Sequence, residues 1–391
     1  MTSGLSRRSM LKGVGGAVFV GASAGVLPLF GTSSKTQSPA SCKSADVSAS
    51  EPELIVSNWP LYIDQPSKKD PQPTTLDDFE AATGIAVTYT DDVSDNTEFF
   101  AKVVNQLGSC QPVDRDLFVL TDWMAARMVS VGWIQPLDHD NLPNVDAHLL
   151  KNLRDPAWDP GRKHSVPWQS GLTGIAYNSK LVDEVGSFSD LLTRRDLKGR
   201  VTLLTEMRDT MAFMLKVAGA DPEDFDDEDW DDAIAVLDDA NGSGQIRQFT
   251  GNNYVGPLSR GDIVACEAWS GDVLALQFEN PDIKFVLPEE GLSLWSDNML
   301  VPNLATHKAN AEAWMNYYYD PAVAAKLAAW VNYICPVEGA QKAMEKIDPS
   351  LVDNPLIFPD EEFLAGTFSM MPLSEAKASR YELDFQNVIG G

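Results

Sequence analysis

Leu54-Ile55-Val56-Ser57-Asn58-Trp59-Pro60-Leu61-Tyr62 is an apolar run that enters an aromatic loop. Leu54-Ile55-Val56 reads as a short buried strand, with Trp59 and Tyr62 just past its carboxyl end. The same pattern repeats downstream. Leu76-Asp77-Asp78-Phe79-Glu80 begins an amphipathic helix that ends near Gly84, and Ile85-Ala86-Val87-Thr88-Tyr89 is the next strand. A helix over 97–107 leads to the strand Leu117-Phe118-Val119-Leu120, and another helix covers 123–131. Strands alternating with helices predict an α/β fold, with a parallel sheet covered on both faces.

The pattern restarts after Pro167. Gly174-Ile175-Ala176-Tyr177 and Val201-Thr202-Leu203-Leu204 read as strands, the second feeding a helix over 209–218. Asp221-Pro222 opens a further helix carrying the acidic run 226–232, which lacks the glycine of an EF-hand loop. Ile263-Val264-Ala265-Cys266 and Ile283-Lys284-Phe285-Val286 read as strands, and 309–331 as one long helical tract. Once a leader is removed, about 350 residues remain, too many for one core, so two domains are expected.

Residues 1–41 read as an export address. Ser6-Arg7-Arg8-Ser9-Met10-Leu11-Lys12 is a twin-arginine sequence, followed by a glycine-diluted apolar stretch from Gly13 to Phe30. Cys42, just past it, is a candidate lipid-bearing first residue of the mature chain. Residues 42–52, rich in Ser, Ala, Asp, Glu and Pro, read as a tether. The chain has four cysteines. Setting Cys42 aside leaves Cys110, Cys266 and Cys335. An oxidising compartment permits a Cys266–Cys335 disulfide, and three buried thiols are the other reading.

The net charge is −27, and losing the four basic residues of an acid-free leader takes it to about −31. That field repels nucleic acid and anionic lipid and attracts cations. Catalytic signals are missing. The four histidines, His139, His148, His164 and His307, have no metal-ligand spacing, and no nucleophile-elbow or phosphate-loop motif occurs. No metal, cofactor or enzymatic activity is expected.

Tryptophans and acids cluster after buried strands. Trp59 and Tyr62 follow the first strand, Thr121-Asp122-Trp123 the third, and Glu206 and Asp209 the strand ending at Leu204. Trp269-Ser270-Gly271-Asp272 follows the strand from Ile263, and Trp295-Ser296-Asp297 reads as the next connection. Loops at the carboxyl ends of strands are where open α/β sheets bind ligands. Rings can flank methylenes and attract ammonium groups, while carboxylates pair with them. An aliphatic polyamine fits that lining.

In their order and spacing, these pieces resemble the periplasmic spermidine/putrescine-binding proteins of bacterial ABC importers, among the family 1 extracellular solute-binding proteins. The resemblance rests on Ser57-Asn58-Trp59-Pro60-Leu61-Tyr62, Ala82-Thr83-Gly84-Ile85-Ala86-Val87, Val119-Leu120-Thr121-Asp122-Trp123 and Val166-Pro167-Trp168-Gln169-Ser170-Gly171. Trp269-Ser270-Gly271, Pro288-Glu289-Glu290-Gly291 and Leu294-Trp295-Ser296-Asp297 continue it. The Asn-Trp-Pro-Leu-Tyr form with a twin-arginine leader is similar to an actinobacterial branch.

The resemblance implies a type II periplasmic-binding-protein fold, with two hinged lobes and the ligand between them. Lobe one would be 53–170 plus 298–343, and lobe two 171–297 plus 344–391. Its ligand positions fall on Trp59, Tyr62, Thr121, Trp123, Glu206, Asp209, Trp269, Trp295, Asp297 and Tyr333. It also departs from the family: Pro60 replaces a hydroxyl residue, and Ser369 or Met370 stands where a glutamine is usual. The expected role is a monomeric, exported, periplasmic or cell-surface protein that passes a polyamine to an ABC permease. The alternatives are a binder of another cationic amine or a sugar, or an exported hydrolase.

Overall fold

Leu54 and Val56 are buried on a strand that parallel neighbours flank on both sides, as their unbroken apolar run requires. The structure is a computed structural model describing residues 42–66 and 72–390. The twin-arginine leader, 1–41, lies outside the described residues. The strands are β1 (Glu53–Ser57), β2 (Ala86–Thr90), β3 (Leu117–Thr121), β4 (Ser165–Asn178), β5 (Val201–Leu204), β6 (Ile246–Thr250), β7 (Ala265–Trp269), β8 (Ile283–Val286), β9 (Leu292–Leu300) and β10 (Thr367–Phe368).

The strand order is β2-β1-β3-β9-β4-β7-β5-β6, with β8 beside β4 and β10 beside β9. At one end, β2, β1 and β3 run parallel, and at the other β7, β5 and β6 do. Between them β4 and β9 pair antiparallel and carry the sheet from one lobe into the other. One core gathers Leu54, Phe79, Phe99, Phe118 and Trp314. A second gathers Ile175, Val201, Leu203, Phe213, Trp230 and Tyr381. This is a two-lobed α/β architecture joined through β4 and β9.

Several expectations change. The strand read at Gly174 is the end of the longer β4, every residue of which is buried. Trp295 and Asp297 lie within β9 rather than in a connection. The helical tract breaks into Lys308–Tyr318 and Pro321–Val331, because Pro321 cannot continue a helix and Asp320 caps the new one. The acidic helix begins at Asp227, with Asp226 rather than Asp221 as its cap. Met344, Leu351 and Ile357 pack in the same buried cluster as Leu54 and Trp314.

The segment 42–52 is docked and does not act as a free tether. Ser44 Oγ donates to the Ala305 carbonyl at 2.6 Å, and the Val47 amide to that of Thr306 at 2.8 Å. Ala309 N–H donates to Asp46 at 3.0 Å. Cys42 is joined to Cys110, with Cα atoms 5.6 Å apart. That sulfur therefore cannot also carry a lipid thioether, which corrects the lipidation expected at Cys42. The Cys266–Cys335 pairing is corrected as well, since both are buried free thiols. Cys266 is held within β7 and Cys335 lies beside the Tyr318 hydroxyl. Nearness to one site does not bring two Cβ atoms into bonding geometry. Among the described residues, no helix is long and apolar enough to cross a membrane.

The Cys42–Cys110 link closes a long loop, so Cys110→Ser should lower unfolding free energy by about 2–4 kcal/mol in urea titration. Equal stability of the two proteins would contradict a structural disulfide.

Candidate functional site

The cleft opens where strands end and helices begin. Thr121 ends β3 at the start of the helix Asp122–Ser130. Glu206 precedes the helix Met207–Ala218, and Trp269 ends β7 at the start of Ser270–Glu279. These carboxyl-end junctions place side chains at the crevice between the lobes. β9 crosses the floor and points Ser293, Trp295 and Asp297 to one face, as alternate residues must.

The lining includes Trp59, Tyr62, Thr121, Trp123, Glu206, Asp209, Trp269, Trp295, Asp297 and Tyr333. All ten residues expected from the sequence thus border one cavity. Cys42 lies elsewhere. Pro60, Ser369 and Met370, the points of departure from the family pattern, border it too.

Asp297 is 3 % exposed and lies at the centre. Tyr62 Oη donates to one of its oxygens at 2.8 Å and Thr121 Oγ1 to the other at 2.7 Å. Burial pushes its carboxyl up to about 7 against those hydrogen bonds. Asp209 accepts from Thr173 Oγ1 at 2.6 Å and more weakly from Trp269 Nε1 at 3.4 Å. Burial raises it to about 6. Both carboxyls are held by neutral donors.

The rings are fixed in turn. Trp59 Nε1 donates to the Val119 carbonyl at 3.1 Å, and Trp295 Nε1 to Thr173 Oγ1 at 2.9 Å. Tyr333 meets Tyr62 edge-on at 5.3 Å and Trp295 at 5.6 Å. Gly171, opposite Trp295 on β4, and Gly271, against Tyr333, leave room that a Cβ would fill. Leu61 adopts φ 56°, uncommon for a branched residue, in the turn between Trp59 and Tyr62.

Glu206 links the lobes. Its Oε1 accepts from the Asn96 backbone N–H at 3.0 Å and the Asn96 amide at 3.2 Å. Asn96 begins the helix Asn96–Gly108, so the carboxyl sits at a helix N-terminus. Burial, with Asp95 nearby, holds Glu206 well above the usual carboxylate range.

Sequence reading missed several participants. Asn96 was outside the expected helix, and Arg208 and Asn252 were not singled out, yet all three line the cavity. Trp123 is less open than expected, because the Arg208 guanidinium lies 4.7 Å from its ring centre. Below the cleft, Glu267 on fully buried β7 accepts from Leu204 N–H at 2.9 Å and Thr210 Oγ1 at 2.7 Å. Burial pushes it up to about 8, so it is mostly protonated at neutral pH.

Glu51, Glu53 and His307 form a group with metal-ligand character. His307 Nε2 is 3.4 Å from Glu51 and 3.6 Å from Glu53, and Nδ1 is 3.0 Å from Asp116. Against burial, which lowers it, Asp116, Glu51 and Glu53 raise the His307 imidazole above its ordinary value, and these pairings account for the group. It joins the docked N-terminal segment to the first lobe and lies outside the cavity lining.

This fold and cleft define a solute-binding protein. The chain belongs to the bacterial extracellular solute-binding protein family, whose profile matches residues 74–359. It is 28 % identical to the putrescine-binding periplasmic protein PotF of Escherichia coli, over 83 % of this chain and 88 % of that one. It is 27 % identical to spermidine/putrescine-binding periplasmic protein 1 of Haemophilus influenzae, over 75 % and 79 %. The TpPotD lipoprotein of Treponema pallidum superposes with a TM-score of 0.71 at 21 % identity, covering 87 % of this chain and all of that one. The substrate-binding protein PotD of Streptococcus pneumoniae gives 0.68 at 22 %, covering 86 % and 98 %. These relatives are binding proteins of transporters rather than enzymes.

The raised carboxyls make a signed prediction for the ligand-free protein. An acid whose folded pKa lies above its unfolded value of about 3.8 retains protons in the folded state, so its contribution is lost as pH rises through the folded value. Asp297→Asn should therefore gain thermal stability over the wild type between pH 5 and pH 8. A difference that stays constant across that range in thermal unfolding would contradict the assignment.

Proposed function

We propose that this chain captures a polyamine of the spermidine/putrescine class between its lobes and delivers it to an ABC permease. The carrying observation is the pair of buried carboxyls, Asp209 and Asp297, each held by neutral donors in an aromatic cleft. Taking a carboxylate out of water costs several kcal/mol unless a cation pairs with it. Ligand ammonium groups would supply that cation, with Trp59, Tyr62, Trp269, Trp295 and Tyr333 against the methylenes. Glu206, Thr121 and Trp123 would shape the end of the cleft. The names of the relatives support this ligand class.

In this reading, the lobes open to admit the amine and close around it, with Glu206 and Asn96 meeting across the cleft on closure. Export would follow the twin-arginine leader, placing a monomer outside the cytoplasmic membrane. A sugar would also stack on the rings but would leave the carboxyls without a counter-charge.

Isothermal calorimetry on the mature chain tests this. Binding of putrescine or spermidine is expected, with no heat from glucose or maltose. Asp297→Asn should weaken amine binding by at least about 30-fold, since breaking one side of a buried charge pair costs about 2–5 kcal/mol. Amine affinity unchanged by that substitution would contradict the proposal.

A further inference from the structure

We propose that Arg208 sets the charge and length of the ligand, acting as a built-in cation at the Ser369–Met370 end of the cleft and leaving a site for a linear diamine. This rests on the amine reading above and goes beyond it.

Arg208 borders the cavity beside Glu206. Its guanidinium lies over Trp123, 4.7 Å from the ring centre, and Nη1 points to the Met371 carbonyl at 3.4 Å. Its buried Nε has no hydrogen-bond partner. A guanidinium on an aromatic face takes the cation–π position that a ligand ammonium would use. Trp123 is therefore already engaged, and the cleft ends in a positive charge. This is the end where Ser369 or Met370 stands in place of the family's glutamine.

The charges around the cavity pair off. Arg208 lies in the fields of Glu382 and Glu206, and Arg127 in those of Glu375 and Glu382. Arg162 donates to Asn298 at 2.8 Å, which donates to Asp122 at 2.7 Å, so that acid has a cation behind it. Asp272 accepts from Asn252, Tyr254 and Tyr333 and does not border the cavity. Glu267 is mostly protonated at neutral pH. Glu206 also has only neutral hydrogen-bond donors, but Arg208 lies in its field, whereas Asp209 and Asp297 have neutral donors and no basic group beside them. Two uncompensated carboxylates call for two ligand charges, and a third ammonium would meet the Arg208 cation.

The test is a ladder of butylamine, putrescine and spermidine, titrated by calorimetry into wild-type, Arg208→Gln and Arg208→Lys chains. For the wild type, putrescine is expected to bind at least tenfold tighter than either of the others. Arg208→Gln should shift the spermidine-to-putrescine affinity ratio at least tenfold towards spermidine, and Arg208→Lys should retain the wild-type order. A wild type that prefers spermidine overturns the proposal, even if the variants do not fold. An equal loss of both affinities in Arg208→Gln also overturns it, because Arg208 would then only support the structure. If no amine binds the wild type, the amine reading itself fails and this inference falls with it.

Discussion

A carboxyl buried without a cation of its own is the constraint on which this structure depends. Asp297 lies on β9, in the strand pair that joins the two lobes, and accepts from Tyr62 and Thr121 of the first lobe. Asp209, from the second, accepts from Thr173 on β4 and from Trp269. Each acid is placed by donors that compensate part of its desolvation and none of its charge. Burial therefore favours their protonated forms, and an incoming cation would favour the ionised ones. In the proposed function, such a site would stay unfavourable until an ammonium arrives and would select against neutral ligands.

The same acids would tie the proposed recognition to the arrangement of the lobes. Thr121 contacts Asp297 and also Asn96, whose backbone and amide donate to Glu206 of the other lobe. One hydrogen-bonded chain thus runs from the floor of the cleft to the point where the lobes touch. A ligand that draws on Asp297 acts on a residue one bond removed from the interlobe contact. Arg208 packs at that end, where Glu206 meets the helix Asn96–Gly108.

Much of this was legible in the sequence, for physical reasons. Strands buried on both faces leave continuous apolar runs, so β1, β3 and β5 stand out. Rings and acids just beyond their ends mark the crevice. The reading went wrong where local pattern and tertiary context part. Trp295 and Asp297 looked like a connection because polar residues interrupt the apolar alternation, yet β9 carries them into the cavity. Arg208 in a helix's first turn looks like a solvated charge until Trp123 covers it. The Cys42–Cys110 link depends on the N-terminal segment folding back along the first lobe, which spacing alone does not reveal. Asn96 gave no signal beyond a polar residue before a helix.

A crystal structure with putrescine is the most direct test of capture between the lobes. One ammonium nitrogen is expected about 2.7–2.9 Å from an Asp297 oxygen, the distance of a charge-assisted hydrogen bond, with the methylenes against Trp295. A diamine bound outside the cleft, or inside it without contact to Asp297 or Asp209, would contradict capture by these carboxylates.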